Sequence, residues 1–347
     1  MGFYTGKKIL ITGGTGTIGR ALTRRLLTEN PAVIRILSRD EHKQFEMQQE
    51  LQNYDNIRYL IGDVRDADRV LRAMEDIDYV FHLAAMKHVP FCEYNPFEAV
   101  KTNVIGTQNV IHAAIASNVK RVLFTSTDKA ISPTNTYGAT KLTAERLISA
   151  AEYHKGPRKT VFCSVRFGNV MGSRGSVIPL FVRQILEERR VTVTHPDMLR
   201  YMMTPSQAVG LILRANEMAY GGEVFVLKMP VVRLGDLAEI VIEETKRQFG
   251  ISEAIRTDII GLRPGEKMVE ELMTADEAEA AMETRDMYIL QPLFGTPNFR
   301  MYPDIMEKGM IQRSMGTLIP ISRETMRNWI REENLITKPE YVGTTWY

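Results

Sequence analysis

Tyr137 and Lys141 stand four residues apart in NTYGATK, a spacing that puts both side chains on one face of a helix. A free tyrosine ionises at about pH 10 and is a poor base at neutral pH. A neighbouring ammonium favours its phenolate. Upstream, Thr127 offers a hydroxyl beside that phenolate, and Asp128 with Lys129 adds an acid–base pair. These residues follow the apolar run Arg121-Val122-Leu123-Phe124 and read as strand end, loop and helix start. The C-terminal edge of such a strand is where open parallel sheets bind ligands. Tyr-x-x-x-Lys alone is also an ordinary exposed helix face, so the elements around it decide its meaning.

The chain opens on a strand, Lys8-Ile9-Leu10-Ile11-Thr12, followed at once by Gly13-Gly14-Thr15-Gly16-Thr17-Ile18-Gly19. Ile18, Ala21, Leu22 and Leu26 then recur at helical spacing. Strand, glycine-rich turn and helix form a pyrophosphate-binding unit. Gly13 allows the tight turn, Gly16 lets backbone approach phosphate, and Gly19 permits close helix packing; Thr15, Thr17 and Ile18 complete the loop. A bound nicotinamide cation favours the Tyr137 phenolate further. A second strand, 33–37, ends in Ser38-Arg39-Asp40-Glu41-His42-Lys43. A hydroxyl and a guanidinium stand where an NAD site places a carboxylate, and Lys43 follows one turn on. That set suits the 2′-phosphate of NADP, while Asp40 keeps NAD open and Arg39 and Lys43 also read as solvated helix-start charges. After strand 57–61, Asp63 either accepts from an adenine amino group or caps the next helix, with Val64 beside it. Strand 79–83 leads into Ala84-Ala85-Met86-Lys87-His88, whose small alanines let a cofactor pass close to backbone. Asn103, in a helix expected over 96–117, is a buried polar candidate for holding the active-site loop.

Strand then helix, repeated five times, implies an α/β fold with a Rossmann-like, doubly wound parallel sheet. A sixth strand, 160–165, ends in a loop carrying Asn169, Arg174, Gly175, Ser176, Val177 and Pro179, a set that suits a phosphorylated substrate, with a plain glycine loop as the competing reading. Thr204-Pro205-Ser206 reads as a helix start that returns the chain to the sheet. A strand at 224–227, an amphipathic helix at 234–248 and a second polar loop with Arg263 and Glu266 follow. The expected division is a cofactor domain over 1–170 with returning segments at about 204–230. A smaller substrate domain over 171–203 and 231–290 faces it across a cleft, and an extension, 291–347, carries a helix near 323–333.

The 347 residues, 44% hydrophobic and 25% charged, suit a soluble globular protein. A net charge of +2 with scattered basic residues argues against nucleic acid as a partner. Two cysteines fit a reducing cytoplasm. No apolar run is long enough to span a bilayer, which argues against a membrane partner, and no motif suggests a metal.

GGTGTIG, SRDEHK, LAAMKHVP, STDKAISPTNTYGATK, RFGNVMGSRGSVIP and RPGEK, in this order, resemble the extended short-chain dehydrogenase/reductases over about residues 5–275. Within them the chain is similar to the nucleotide-sugar 4,6-dehydratases, in particular the inverting UDP-N-acetylglucosamine enzymes of polysaccharide and flagellin-sugar pathways. The resemblance implies that Tyr137, assisted by Lys141 and Thr127, removes the sugar 4-hydroxyl proton as C4 is oxidised by a tightly bound, recycled NADP. Lys129, as a neutral amine, then takes the C5 proton, and Asp128 donates to the departing 6-hydroxyl. It further implies that Asn169, Arg174, Ser176 and Arg263 hold the nucleotide diphosphate with Glu266 near the ribose, that Lys87 and His88 line the substrate site, and that helices 96–117 and 135–154 form a homodimer interface. The Asp-Lys pair marks the amino-sugar branch, glucose-type dehydratases having Asp-Glu there and 4-epimerases lacking the pair. A GDP-linked substrate, a 4-epimerase and a cofactor-sensing regulator remain the rival readings.

Overall fold

A computed structural model describes residues 2–263, 265–292, 302, 305 and 318–338. Their contacts divide the chain into two compact units.

The first unit takes residues up to 167, then 209–228 and the segment from 271. Its framework is a nine-stranded sheet. The strands are β1 (Lys8–Thr12), β2 (Val33–Ser38), β3 (Ile57–Ile61), β4 (Tyr79–His82), β5 (Arg121–Thr125), β6 (Val161–Arg166), β10 (Val224–Leu227), β13 (Met282–Glu283) and β14 (Met287–Leu290). They lie in the order β13-β14-β10-β6-β5-β4-β1-β2-β3. Seven are parallel, from β3 through β10, and β14 pairs antiparallel on β10. Covered on both faces, β4, β10 and β14 are buried at every position. The expected doubly wound parallel sheet is therefore present. Residues 271–290, expected with the substrate domain, belong to this unit because the buried run Met287–Leu290 extends the sheet beyond β10 through register with Val224–Leu227, with Met282–Glu283 paired outside it.

Helices α1 (Thr17–Leu27), α2 (Glu41–Glu50), α3 (Ala67–Met74), α6 (Gly106–Ala116) and α7 (Thr136–His154) flank these strands. Val70, Met74, Val110, Ile111, Ala144 and Ile148 pack with Val80, Val122, Phe124 and Phe162 in one core cluster. The helix expected over 96–117 is interrupted: α5 (Pro96–Ala99) runs into a π-turn, Val100–Ile105, before α6 begins. A preceding short helix, α4, spans Val89–Tyr94.

The second unit takes 168–208, 229–270 and 318–338. It holds β7 (Asn169–Val170), α8 (Val177–Glu188), β8 (Arg190–Val193), β9 (Leu199–Met203), β11 (Val231–Arg233), α10 (Leu234–Phe249) and β12 (Arg256–Ile259). A three-stranded sheet runs β11-β9-β7, and β12 pairs with β8. The chain enters helix α9 (Pro205–Met218) through Thr204, whose hydroxyl accepts from Gln207 N at 3.2 Å while Gln207 Oε1 accepts from Thr204 N at 3.0 Å. A C-terminal helix, α11, spans Arg323–Glu332 and buries Met326 and Ile330 in this unit's core with Ile240, Val241 and Ile185. The rest of the expected extension, 293–301, 303–304, 306–317 and 339–347, lies outside the described residues.

Candidate functional site

Two adjoining elements carry the candidate catalytic groups. A single 3₁₀ turn, Asp128–Ala130, follows β5, and α7 begins at Thr136. Asn135 caps α7 by accepting from Gly138 N at 2.9 Å, so the tyrosine sits in the first turn and the lysine one turn on. The turn is fastened to the strand ends: Ser126 N donates to Val165 O at 2.6 Å and Asp128 N to Phe167 O at 3.1 Å.

Asp128 is buried, and its Oδ1 accepts from Thr127 Oγ1 and from Lys129 Nζ, each at 3.0 Å. Its Oδ2 is buried with no hydrogen-bond partner among the described residues, an orphan acceptor that a ligand hydroxyl would satisfy. Tyr137 is half-buried and hydrogen-bonded to the Thr127 hydroxyl. Burial pushes its phenol above the ordinary tyrosine value, while that hydrogen bond and the Lys129 charge pull it down. Lys141 is buried; its Nζ donates to Thr125 O at 2.5 Å and lies 3.9 Å from the Phe124 ring centroid. Burial lowers Lys141 to about 7 against the opposing charge of Glu145.

A hydrogen-bond chain joins the end of β1 to this helix. Thr107 Oγ1 donates to Asn103 O at 2.6 Å, so towards His82 Nε2, 3.0 Å away, it can only accept. His82 therefore carries its proton on Nε2, and its Nδ1 accepts from Thr12 Oγ1 at 2.7 Å. Burial, with the Lys141 charge, lowers His82 to about 3, so the ring stays neutral. Asn103, in the π-turn, accepts from Met86 N at 2.8 Å and donates to Met86 O and Thr140 Oγ1, each at 3.0 Å. Thr140 donates to Tyr137 O at 2.9 Å. Asn103 thus clamps the Ala84–Lys87 segment to the tyrosine-bearing turn. Sequence reading missed His82, Thr107 and Thr140; the available signal was a histidine ending the otherwise apolar strand Tyr79–His82.

The glycine loop has the shape of a phosphate cradle. Gly13 has φ +71°, and a Cβ there meets Ala84 backbone at 2.8 Å; a Cβ on Gly19 meets Gly14 O at 2.4 Å. Helix α1 follows Gly16, which supplies no side-chain cap, so its N-terminus, with Thr15, Thr17 and Ile18 beside it, is of the kind that takes an anion. These features fit a dinucleotide. At the end of β2, Ser38 Oγ accepts from Gln44 Nε2 at 2.9 Å, Asp40 caps α2 and pairs with Lys43, and Arg39 lies 3.5 Å from Asp63. Asp63 accepts three bonds from Arg65, and the helix after it is capped by Asp66. Lys87 and His88 are exposed, His88 preceding α4.

The substrate candidates of the second unit lie on two loops. Asn169 pairs with Met202, Arg174 and Gly175 (φ +71°) follow, and Ser176 precedes α8, whose first turn holds Val177 and Pro179. Ser176 Oγ is buried with no hydrogen-bond partner among the described residues. On the other loop, Arg263 N donates to Glu266 Oε2 at 3.1 Å and Glu266 N to Arg263 O at 3.0 Å.

The chain matches the polysaccharide biosynthesis protein family over residues 9–292. It is 54% identical to an uncharacterized membrane protein of Methanocaldococcus jannaschii over 84% of this chain and 87% of that one. It is 42% identical to a Campylobacter jejuni UDP-N-acetylglucosamine 4,6-dehydratase (inverting), covering 83% and 84%. A Rickettsia typhi UDP-glucose 4-epimerase is also 42% identical, covering 82% and 83%. The X-ray structure of Pen from Bacillus thuringiensis superposes with a TM-score of 0.87 at 55% identity, covering 97% of this chain and all of that one (100%). Among the described residues no helix is long and apolar enough to cross a membrane. With the fold, the glycine loop and the Tyr-x-x-x-Lys helix in place, these matches show that the chain belongs to the polysaccharide biosynthesis protein family of extended short-chain dehydrogenase/reductases.

Proposed function

We propose that this protein is an NADP-dependent UDP-N-acetylglucosamine 4,6-dehydratase that inverts C5. Similarity carries the coarser statement, an enzyme of the nucleotide-sugar dehydratase and epimerase type. The observation that favours dehydration is the hydrogen-bonded run from Tyr137 through Thr127 to Asp128 and Lys129. Two proton-handling centres within one hydrogen-bonded group are what removal of two protons from neighbouring ring positions requires.

Gly13, Thr15, Gly16, Thr17, Ile18 and Gly19 would hold the cofactor pyrophosphate, with Ser38, Arg39 and Lys43 at the 2′-phosphate and Asp63 and Val64 by the adenine. Ala84, Ala85, Lys87 and Asn103 would flank the nicotinamide ribose, with Tyr137 and Lys141. When bound, the cofactor oxidises C4 and later reduces C6, so it is regenerated each turnover. Tyr137 takes the O4 proton as the C4 ketone forms. The ketone acidifies C5–H, and Lys129, as the amine, takes that proton. Cleavage of the C6–O bond uses a proton from Asp128, whose orphan Oδ2 has no hydrogen-bond partner among the described residues to hold that proton. C5 is reprotonated from solvent on the face opposite Lys129, which inverts the centre, and Lys129 gives its proton back to solvent. The proton gained by Tyr137 and the one lost by Asp128 balance through solvent, and the net change is loss of one water. Lys87, His88, Asn169, Arg174, Gly175, Ser176, Val177, Pro179, Arg263 and Glu266 would bind the nucleotide sugar. We place the protein in the cytoplasm as a homo-oligomer; the free, buried Cys92 and Cys163 and the exposed Phe91, Tyr94 and Phe97 support this.

Incubation with UDP-N-acetylglucosamine in D₂O tests the proposal. The expected product is a 4-keto-6-deoxy sugar with deuterium at C5. An unoxidised galacto epimer would establish the second reading, a UDP-sugar 4-epimerase, which the Rickettsia similarity favours.

A further inference from the structure

Gly138 is buried in the first turn of α7, directly after Tyr137. Helix formation alone favours alanine there, since an interior glycine weakens a helix. Its conformation is ordinary helix, so backbone freedom does not explain it. Close approach does. A Cβ at this position meets the Lys129 carbonyl oxygen at 2.0 Å, the Lys129 carbonyl carbon at 3.0 Å and Pro133 Cβ at 3.1 Å. The first neighbour is backbone of the 3₁₀ turn and cannot swing aside as a side chain would. The turn that carries Asp128 and Lys129 therefore rests on the bare Cα of the residue next to Tyr137.

We propose that Gly138 is a positioning residue: it sets the gap between the turn that handles C5 and C6 and the helix that handles C4. The inference rests on the dehydratase reading above. An added methyl forces the Lys129 carbonyl from 2.0 Å to beyond 3.0 Å, a displacement of at least 1 Å. A misplacement of that size costs reactions of this kind on the order of 10²-fold. Because Tyr137 and Lys141 share α7 and keep their mutual spacing, the loss falls on elimination and spares C4 oxidation.

The test is Gly138→Ala in single turnover with UDP-N-acetylglucosamine, quenched and read by mass spectrometry. Wild type is expected to pass to the 4-keto-6-deoxy product without accumulating the 4-ketone that keeps its 6-hydroxyl. The variant is expected to accumulate that ketone, with elimination and C5 deuterium uptake slowed about 10²-fold, C4 oxidation within about threefold and KM within about threefold. Pro133→Gly, which leaves Gly138 and loosens the loop joining turn to helix, is expected to slow elimination about tenfold in the same pattern and keeps the test alive where Gly138→Ala does not fold. Parallel loss of both partial rates in the variants that fold, or no loss in either, overturns the proposal. Failure of wild type itself to eliminate water overturns the dehydratase reading instead.

Discussion

Lys141 Nζ donates to the Thr125 carbonyl oxygen at 2.5 Å, across the face of Phe124, and so ties the Tyr137 helix to the end of β5. The charge sits in a buried site that holds its pKa at about 7, below the ordinary lysine value of 10.5. Between these values the unfolded chain binds the extra proton, so stability rises with pH across the window and the penalty is complete below it. That penalty is about 5 kcal/mol, and the Thr125 hydrogen bond offsets part of it. Lys141→Met in the cofactor-free protein should therefore unfold later in denaturant at pH 6. We expect a net gain of about 2 kcal/mol after an orphaned Thr125 carbonyl is counted, shrinking towards pH 10. Turnover should fall at least about 10²-fold. A variant less stable than wild type at pH 6 would contradict this account.

Thr127 has the opposite relation to Tyr137: when its hydroxyl turns from Asp128 Oδ1 to the phenolate, that hydrogen bond lowers a phenol that burial raises. Removing it with Thr127→Val leaves burial less opposed, so the tyrosine ionises at higher pH. The acid limb of the kcat/KM profile should move to higher pH, while Thr127→Ser should keep the wild-type limb. Tyr137→Phe should retain the cofactor and lose about 10³-fold or more in turnover. An acid limb that stays in place in Thr127→Val would remove the threonine from the base.

Much of this was legible in the chain itself. Strands β1, β2 and β3 announce themselves as β-branched runs that end in serine or run straight into glycine, and the Tyr-x-x-x-Lys spacing places two side chains on one helix face. What was not legible arises from partners far along the chain. His82 takes its tautomer from Thr12 and Thr107, 70 and 25 residues away. The π-turn has no local signature; Asn103 within it is held by Met86 and Thr140. Met287–Leu290 joins the large sheet only because β10 lacks a partner on that side without it.

Cofactor choice turns on Asp40. Lys43 occupies its carboxylate with both backbone N–H, at 3.0 Å, and ammonium, and these bonds hold the carboxyl below its usual range. An occupied carboxylate is poorly placed to accept from a ribose 2′-hydroxyl, whereas Arg39, more than half exposed, can turn to a phosphate. Arg39→Ala should weaken NADP at least about tenfold with NAD changed less than about twofold. Lys43→Ala, which frees Asp40, should tighten NAD. Titrations showing equal loss for both dinucleotides in Arg39→Ala would end the NADP assignment.

Glu145, one turn beyond Lys141, closes a buried ion group with Arg166. Both side chains are fully buried; Arg166 donates to Glu145 at 2.6 and 3.3 Å, to Glu277 at 2.8 and 3.1 Å, and to Leu272 O at 3.2 Å. Glu145→Gln leaves the guanidinium buried with one carboxylate fewer, which should destabilise the fold by about 3 kcal/mol. The same change acts on the site. Glu145 raises the Lys141 pKa against burial, so its neutral replacement lets that pKa fall further. If the Lys141 cation supports the phenolate, the basic limb of the rate profile moves to lower pH in Glu145→Gln. A destabilised variant whose pH profile overlays wild type would show that Glu145 serves the fold alone.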